Sequence, residues 1–463
     1  MQANIPIRSQ ELEILEEDGL VLVLDSEWGT WAIVNPLGQE IVSLCDGKRT
    51  VADIASEISD HYNVAYQEVL GDVIQFLGHM NKACVLFLDE EARAVFLKEM
   101  AEIQRLRSAK IPVSSLSLQI TKRCNLLCRH CYTPFEKDTP KELSLGEIKK
   151  VVLEYAGMNG KVLVLTGGEP LIHESWREIL DHSLSVKLNV SLFTNGVLIN
   201  RNTARFLAER KVTIQISLEG SGPLLNDRIR GEGSFERIMK GINLLVEEGL
   251  ARNIQIAIVL NNSNYQDFPA FVEFFHELGI KKIRIGDLLR QGRARTSWQD
   301  LELSLTQAIS SVKIIQDVAR QYPEVEIEGD CTLNFFDRLQ GVAGNCPMGA
   351  SIHVDAFGDV FPCLLEVEPY GLGNVREETL SEIVYREDGK LDELRRVEGE
   401  RVKRIEKCVR CLWRAFCGGG CMAHAFFQHG TIWREDPACG LRQFYFRKLL
   451  FDEARSLRSS KAD

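Results

Sequence analysis

The placement of cysteines is the feature that most restricts what this chain can fold into. The chain has 463 residues and 13 cysteines, and ten of the cysteines fall within two stretches, 124–131 and 346–439. A small disulfide-bonded secreted protein would instead spread paired cysteines along its length. In a reducing compartment, clustered cysteines indicate metal ligands or catalytic groups.

The first residues and the charge balance argue against several classes of protein. The opening segment, MQANIPIRSQELEILEEDG, is polar and acidic, so we expect no signal peptide. No apolar run approaches the roughly 20 residues that a membrane span needs. We therefore expect a cytoplasmic protein without a membrane partner. The net charge of −11 also disfavours a nucleic-acid partner.

Short β-rich runs alternate with amphipathic helical stretches from Val113 onward. The six runs are SSLSLQI, VLVLTG, LNVSLFTNG, VTIQISLEG, IQIAIVLN and IKKIRIGDLL. This alternation predicts βα units around a parallel sheet. Six strands are too few for a closed eightfold barrel, so we expect an α/β fold built on a partial (β/α)6 barrel. Ligands of such sheets bind at the carboxyl ends of the strands.

The first cysteine cluster directly follows the first predicted strand. It reads Cys124-Asn-Leu-Leu-Cys128-Arg-His-Cys131. Three cysteines on one loop can hold three irons of a [4Fe–4S] cube and leave the fourth iron open to a small molecule. A structural zinc knuckle is the alternative, with His130 as a fourth ligand.

Three later strands end in small or polar residues that belong at the same end of the sheet. These ends are Thr166-Gly-Gly-Glu-Pro170, Phe193-Thr-Asn-Gly196 and Ser217-Leu-Glu-Gly220. Together with the CxxxCxxC motif, they resemble the radical S-adenosylmethionine (SAM) superfamily over about residues 113–300. The resemblance implies reductive cleavage of SAM to methionine and a 5′-deoxyadenosyl radical, which abstracts an otherwise unreactive hydrogen.

The same resemblance implies which residues hold the cofactors. Cys124, Cys128 and Cys131 would ligate the SAM-binding cluster, and the glycines and carboxylate of the GGEP turn would hold the methionine amino group. The implied SAM contacts are Tyr132, Gly167, Gly168, Glu169, Pro170, Asn195, Ser217, Glu219, Asn226, Arg230 and Ile285. The segments Ile285-Gly-Asp287 and Gly292-Arg-Ala294 resemble the last strand end of the family, near the adenine. No catalytic base is implied.

The second cysteine cluster has the pattern Cys346, Cys363, Cys408-x2-Cys411-x5-Cys417-x3-Cys421 and Cys439, with three glycines before Cys421. This pattern resembles the SPASM domain, the auxiliary-cluster domain of radical SAM peptide maturases. The resemblance implies two auxiliary [4Fe–4S] clusters. Cluster I takes Cys346, Cys363 and Cys421, with Cys331 or a substrate thiolate as the fourth ligand, and cluster II takes Cys408, Cys411, Cys417 and Cys439. A zinc ribbon is the alternative.

A departure from the family pattern follows Cys363. Sulfatase-maturing members carry an Asp just after this cysteine, whereas this chain has Leu364. The sequence therefore argues against sulfatase maturation.

The first 92 residues predict a small winged-helix-like α+β domain. LVLVLDSEWGTWAIVN predicts two strands, and three amphipathic helices follow, the second capped by Thr50. The stretch VNPLGQEIVSLCDGKRTVADIASEI resembles PqqD-like peptide-recognition domains. The resemblance implies that a leader peptide adds as a strand to an exposed sheet edge. The alternative is a domain that only packs on the barrel.

The predicted division of the chain follows from these segments. It comprises a PqqD-like domain (1–92), a linker helix (93–112), the partial barrel (113–300), a bridging region (301–343), the SPASM domain (344–445), and a C-terminal helix and tail (446–463).

The sequence therefore predicts a radical SAM maturase of a ribosomally made precursor peptide that is bound through its leader. Its electron donor would be a flavodoxin or ferredoxin. One alternative is a radical SAM enzyme of quinone- or haem-type cofactor biosynthesis. Another is a non-catalytic scaffold that binds metal and peptide.

Overall fold

The computed structural model describes residues 2–108, 112–133, 141–330, 349–363, 366–387 and 389–459. Cys331, Cys346 and Leu364 lie outside these residues. The first part of the chain contains the strands β1 (Ile7–Arg8), β2 (Leu12–Glu17), β3 (Leu20–Asp25), β4 (Trp31–Val34) and β5 (Leu86–Phe87). Its helices are α1 (Pro36–Leu44), α2 (Val51–Tyr62), α3 (Tyr66–Lys82) and α4 (Glu90–Ser108).

Side chains at the helix ends explain why the helices of this module begin where they do. The Asn35 side chain accepts from the Gly38 amide ahead of α1, where Pro36 takes the first helical position. The predicted cap Thr50 forms a capping box with Asp53 at the start of α2. Beside the two predicted strands, the structure adds β2, so that the sheet order is β2-β3-β4. We missed β2 because half of its sequence, LEILEE, is glutamate.

Strand β3 is buried on both faces and joins two hydrophobic cores. Val21 and Val23 pack into the core of the N-terminal module. Leu20, Leu22 and Leu24, on the opposite face, belong to the large core that also contains Trp413 and Phe446. The uninterrupted apolar run LVLVL is typical of such a two-sided strand.

Within the described ranges, ten further strands form one sheet. They are β6 (Ser115–Gln119), β7 (Val162–Thr166), β8 (Asn189–Thr194), β9 (Thr213–Ser217), β10 (Ile254–Val259), β11 (Lys282–Gly286), β12 (Glu326–Gly329), β13 (Ser351–Val354), β14 (Asp359–Phe361) and β15 (Gly373–Asn374). The sheet order is β12-β11-β10-β9-β8-β7-β6-β13-β14-β15. The six predicted strands, β6–β11, pair in parallel in chain order. The structure adds parallel strands on both sides, β12 beside β11 and β13 beside β6.

Helices flank these strands and follow them. Those between β6 and β12 are α5 (Leu145–Gly157), α6 (Trp176–Ser185), α7 (Arg201–Arg210), α8 (Pro223–Arg230), α9 (Ser234–Glu247), α10 (Phe268–Glu277), α11 (Ala294–Leu301) and α12 (Leu305–Gln321). Those after β15 are α13 (Leu380–Tyr385), α14 (Lys390–Arg404), α15 (Glu406–Val409), α16 (Arg414–Cys417), α17 (Met422–His429) and α18 (Cys439–Ser459). Short 3-10 turns occupy Pro170–Ile172, Ala251–Asn253, Tyr265–Asp267 and Glu368–Tyr370. None of the helices in the described ranges is long and apolar enough to cross a membrane.

The N-terminal module docks on the C-terminal region through charged and close-packed contacts. Arg447 and Arg455 of α18 lie 3.0 and 2.8 Å from the carboxylate of Glu17 at the end of β2. The turn at Gly29 comes so close to α16 that a Cβ added there would lie 3.2 Å from the Ala415 Cβ. These contacts hold the module against the rest of the chain.

Candidate functional site

The loop that carries Cys124, Cys128 and Cys131 leaves the end of β6 and packs under the turn that follows β7. The Gly168 amide donates to the Thr121 carbonyl at 2.8 Å, and the Glu169 amide donates to the Arg123 carbonyl at 2.8 Å. A Cβ added at Gly168 would lie 2.4 Å from the Arg123 carbonyl oxygen. The predicted GGEP turn therefore needs glycine at this position because the two backbones meet there.

A second backbone contact holds the other end of the loop. The amides of Arg293 and Ala294 lie 2.9 and 3.3 Å from the Cys131 carbonyl, and the Arg293 Nε donates to the Cys128 carbonyl at 2.9 Å. A Cβ on Gly292 would lie 2.6 Å from the same Cys131 oxygen. The segment after β11, which the sequence predicts to be near the adenine, thus lies against the cysteine loop.

Two polar side chains face the sulfurs of the loop. The Asn195 Nδ2 lies 3.9 Å from the Cys124 Sγ, and a terminal nitrogen of Arg230 lies 3.8 Å from the Cys128 Sγ. Burial raises the pKa of the Cys128 thiol to about 11. Because a metal ion stabilises a bound thiolate, this set of three sulfurs, with donors directed at two of them, fits an iron–sulfur cluster.

The carboxylate of Glu219 ties the cysteine loop to the end of β9. It accepts from Arg230 at 2.6 Å and from the Val259 amide at 3.0 Å, and it lies 3.3 Å from the His130 Nε2. Burial opposes ionisation of Glu219, but the charges of His130 and Arg230 outweigh it and hold its pKa below the usual range. Both oxygens of this predicted ribose contact are therefore engaged within the protein.

Asn226 belongs to the same network as Glu219. Its Oδ1 accepts from the Glu219 amide at 3.1 Å, and its Nδ2 donates to the Ser234 hydroxyl at 2.8 Å. The structure therefore brings Asn226, Glu219 and Arg230 together beside the cysteine loop.

Glu169, the glutamate of the GGEP turn, is fully buried. Its carboxylate accepts from the Thr194 hydroxyl and the Asn195 amide, both at 2.7 Å, and from the Leu171 amide at 3.1 Å. Burial outweighs these hydrogen bonds and raises the pKa of Glu169 to about 7. Like Glu219, this side chain connects strand ends, here those of β7 and β8.

The remaining predicted SAM contacts lie in different surroundings. Tyr132 follows Cys131, and burial raises its pKa above the usual range, with a further contribution from the Glu366 charge. Ser217 ends β9 and is half-buried, while Pro170 is buried. Ile285 is also buried and lines a cavity with Ile315 of α12, on the helix side of the sheet.

Four cysteines of the C-terminal region line one cavity together with Trp413 and Phe446. They are the predicted ligands of auxiliary cluster II, namely Cys408, Cys411, Cys417 and Cys439. The Gln443 Nε2 lies 3.7 Å from both the Cys411 and the Cys439 sulfur. Glu435 and Asp436 line the same cavity. Four thiols gathered at one place are a donor set that fits an iron–sulfur cluster.

The neighbouring cysteine Cys421, predicted for auxiliary cluster I, is held by its backbone. Its amide donates to Asp436 at 2.7 Å, and Arg442 pairs with the same carboxylate at 2.7 Å. The Arg442 charge, together with His424, holds the pKa of Asp436 below the usual range despite burial. Of the other predicted ligands, Cys363 is half-buried, whereas Cys346 and Cys331 lie outside the described residues.

Sequence reasoning missed the polar side chains on the inner face of the sheet. They include Gln119 of β6, Gln215 of β9 and His353 of β13, all buried. The alternation S-L-S-L-Q in β6 could have indicated an inner polar face. His353 gave no such signal, because β13 pairs with β6 across more than 200 residues of chain.

Comparisons with known proteins agree with the three predicted modules. Residues 118–275 match the radical SAM superfamily, residues 21–86 match coenzyme PQQ synthesis protein D (PqqD), and residues 346–412 match the SPASM iron–sulfur cluster-binding domain.

Among curated proteins, the mycofactocin maturase MftC of Mycobacterium tuberculosis is 29% identical over 331 residues, which are 70% of this chain and 82% of that protein. The subtilosin biosynthesis protein AlbA of Bacillus subtilis is 24% identical over 399 residues, 83% of each chain. The Fe-coproporphyrin III synthase of Methanosarcina barkeri is 27% identical over 357 residues, 70% of this chain and 86% of that protein.

Two solved structures share the fold. Streptococcus suis SuiB bound to the precursor peptide SuiA has a TM-score of 0.59 at 15% identity, over 94% of this chain and 99% of that one. Native anSMEcpe with bound AdoMet has a TM-score of 0.59 at 19% identity, over 73% of this chain and 98% of that one. By the three family matches, the chain contains in order a PqqD-like segment, a radical SAM domain and a SPASM iron–sulfur cluster-binding domain.

Proposed function

We propose that this enzyme modifies a ribosomally synthesised precursor peptide. The observation that carries the proposal is the packing of the PqqD-like module on the same body that holds the cysteine loop, through β3 and the contacts of Glu17 with α18. A peptide held by its leader in that module would have its core segment tethered near the sheet, which raises the local concentration of the core peptide.

The leader would bind at an edge of the small sheet. Within the described residues, β2 and β4 each pair with β3 alone, so each leaves one edge without a strand partner. Main-chain hydrogen bonds at such an edge give affinity, and side-chain pockets give selectivity. The names of MftC and AlbA, and the SuiB–SuiA complex, are consistent with peptide substrates for this architecture.

Each group of site residues would bind or position one of the cofactors. Cys124, Cys128 and Cys131 would hold a [4Fe–4S] cluster, and the GGEP turn, Asn195 and the strand ends of β9 and β11 would position SAM beside it. With one electron from a flavodoxin or ferredoxin, this cluster would supply the reductive cleavage of SAM, and the resulting 5′-deoxyadenosyl radical would take a hydrogen from the peptide. Cys408, Cys411, Cys417 and Cys439 would hold one auxiliary cluster. Cys346, Cys363 and Cys421, with Cys331 or a substrate thiolate, would hold the other.

The test uses anaerobically reconstituted enzyme with SAM, a reductant and precursor peptides encoded beside the gene. We expect 5′-deoxyadenosine and a change in peptide mass. Replacing Cys124, Cys128 and Cys131 by Ala should abolish both while leader binding, followed by fluorescence anisotropy, stays unchanged. The matched control is Cys84→Ser, which changes a cysteine outside both clusters. Absence of any peptide mass change with every neighbouring precursor would contradict the proposal.

A second candidate is biosynthesis of a haem-type or quinone cofactor, favoured by the similarity to the Fe-coproporphyrin III synthase. That similarity spans 70% of the chain, whereas the similarity to AlbA spans 83%. Titration of the purified enzyme with a porphyrin, followed by its Soret absorbance, separates the two. Tight porphyrin binding without peptide modification would favour the second candidate.

A further inference from the structure

The inner face of the large sheet, opposite the hydrophobic core, carries polar side chains. In β6, Leu116 and Leu118 are fully buried in the core, so Ser117 and Gln119 point to the opposite face. The Arg284 guanidinium of β11 lies 5.7 Å from the centre of the Phe193 ring of β8. The side chains of β8 and β11 on this face therefore approach each other across the two strands between them.

Two buried side chains on this face have no hydrogen-bond partner within the described part of the chain. Gln119 has 0% exposure, and neither its oxygen nor its nitrogen is paired. His353 has 1% exposure, and neither ring nitrogen is paired. His353 lies opposite Ser117 in the register of β13 and β6, so Gln119 lies roughly 7 Å further along the same face.

Glu366, Lys122 and Asp355 are charged groups close to His353. The Glu366 Oε1 lies 3.2 Å from its Nε2 without the alignment of a hydrogen bond. The Lys122 Nζ lies 3.8 Å from Glu366 and 3.4 Å from Asp355. Two carboxyl groups thus face one amine. Burial lowers the pKa of His353, so the neutral ring offers one donor and one acceptor.

This polar face begins where the cysteine loop begins. Gln119 is the last residue of β6, and the chain continues through Ile120 to Lys122 toward Cys124. A donor or acceptor buried without a partner costs free energy, so native proteins keep such groups where water or a ligand completes them. Gln119 and His353 therefore lie next to the predicted SAM site with their hydrogen-bonding capacity unused.

We propose that Gln119 and His353 bind a neutral amide of the peptide substrate and position the carbon beside it for hydrogen abstraction. This inference rests on the proposed function and adds to it two positioning residues and a substrate class. An amide presents one donor and one acceptor, which match the side-chain amide of Gln119 and the neutral ring of His353. A carboxylate would meet the excess of acidic groups around Lys122, so the site selects against an acidic group there.

Replacing Gln119 or His353 by an apolar residue distinguishes a role in positioning the substrate from a role in stabilising the fold. Removing a buried polar group that has no partner is neutral or stabilising, whereas removing a partnered one is destabilising. We therefore expect Gln119→Met and His353→Leu to leave the thermal midpoint of the reconstituted holoenzyme unchanged or higher. Gln255→Met is the matched control, because Gln255 lies on the same face and donates to Glu328 at 2.8 Å. This control should lower the midpoint.

The activity measurement uses the precursor peptide that the wild-type enzyme modifies. We expect Gln119→Met and His353→Leu to lower kcat for modification about tenfold to a hundredfold, the range of one or two lost hydrogen bonds. Formation of 5′-deoxyadenosine without peptide and leader affinity should not change. His353→Gln, which restores a donor and an acceptor, should recover most of kcat, and Gln255→Met should keep wild-type kcat per folded enzyme.

The results distinguish this inference from the proposed function. If the wild-type enzyme modifies no peptide, the proposed function fails, whatever the variants do. If peptide is modified and both apolar variants keep wild-type kcat, the inference is overturned. It is also overturned if Gln119→Met and His353→Leu lower the thermal midpoint as much as Gln255→Met does.

Discussion

Arg230 donates to Glu219 at 2.6 Å in a position where both side chains are buried, and its other terminal nitrogen lies 3.8 Å from the sulfur of Cys128. One guanidinium therefore connects the end of strand β9 to a predicted cluster ligand. The positive charge of Arg230 is compensated by Glu219 on one side and would be compensated by a thiolate on the other.

Glu219→Gln tests this connection. The substitution keeps the shape of the side chain but leaves the buried Arg230 without its carboxylate, and breaking a buried ion pair costs about 3–5 kcal/mol. We expect a marked drop in the thermal midpoint of the reconstituted enzyme, together with a lower iron content. The control is Glu247→Gln, which removes an exposed partner of Arg201 at 3.0 Å and should cost less than about 1 kcal/mol. Equal effects of the two substitutions would contradict the assigned role of Glu219.

Gly168→Ala tests the contact of the GGEP turn with the cysteine loop. The added methyl group would lie 2.4 Å from the backbone oxygen of Arg123, so one backbone must shift, at a cost of about 1–3 kcal/mol. We expect weaker SAM binding in equilibrium dialysis and a lower thermal midpoint. In Gly146→Ala the new methyl group of helix α5 meets nothing within 4 Å, and higher helix propensity should stabilise that variant slightly. Unchanged SAM affinity in Gly168→Ala would disprove the assigned contact.

The stability of the enzyme should fall with rising pH because of Glu169. Its folded-state pKa of about 7 lies above the usual 4.5, so the protonated form is favoured by folding. The contribution of Glu169 to stability is therefore complete below about pH 4.5 and is lost as the pH rises through about 7, with a maximum of about 3 kcal/mol. Glu169→Gln removes this titration. The thermal midpoint of the wild type minus that of the variant should decrease between about pH 5 and about pH 8, and a constant or increasing difference would refute the assignment.

Iron content tests the proposed set of clusters. Three [4Fe–4S] clusters correspond to about twelve irons and twelve sulfides per chain. Replacing Cys408 and Cys439 together by Ala should remove about four of each, because both sulfurs line the same cavity. Cys84→Ser should retain the full content. Zinc instead of iron, with no sulfide, would identify the site as the zinc ribbon that the sequence left open.

Most strands and helices, and the position of the cysteine loop, could be predicted because they depend on residues close together in the sequence. The capping residue Thr50 and the six β-rich runs of the barrel are local signals, and the structure confirms each of them. The turn at Gly168 was predictable because only glycine allows two backbones to approach so closely.

Other features depend on contacts between distant parts of the chain. Neither the pairing of β13 with β6 nor the placement of Lys122 beside Asp355 leaves a local pattern, since these residues are separated by more than 200 positions. The engagement of Glu219 by Arg230 and His130 likewise appears only when α8 folds back on the cysteine loop.

The two-sided burial of β3 has a consequence for which residue of a bound peptide would reach the cysteine loop. Rotating the N-terminal module away would expose Leu20, Leu22 and Leu24 to water, at about 2 kcal/mol for each leucine side chain. If the module binds a leader as proposed, it would act as a fixed anchor point, and the fold would set the distance from the leader to the cysteine loop. In a precursor peptide, the number of residues after the leader would then determine which residue of the core peptide is modified. Inserting residues between them should move the modification to a new position in the core peptide by the same number of residues.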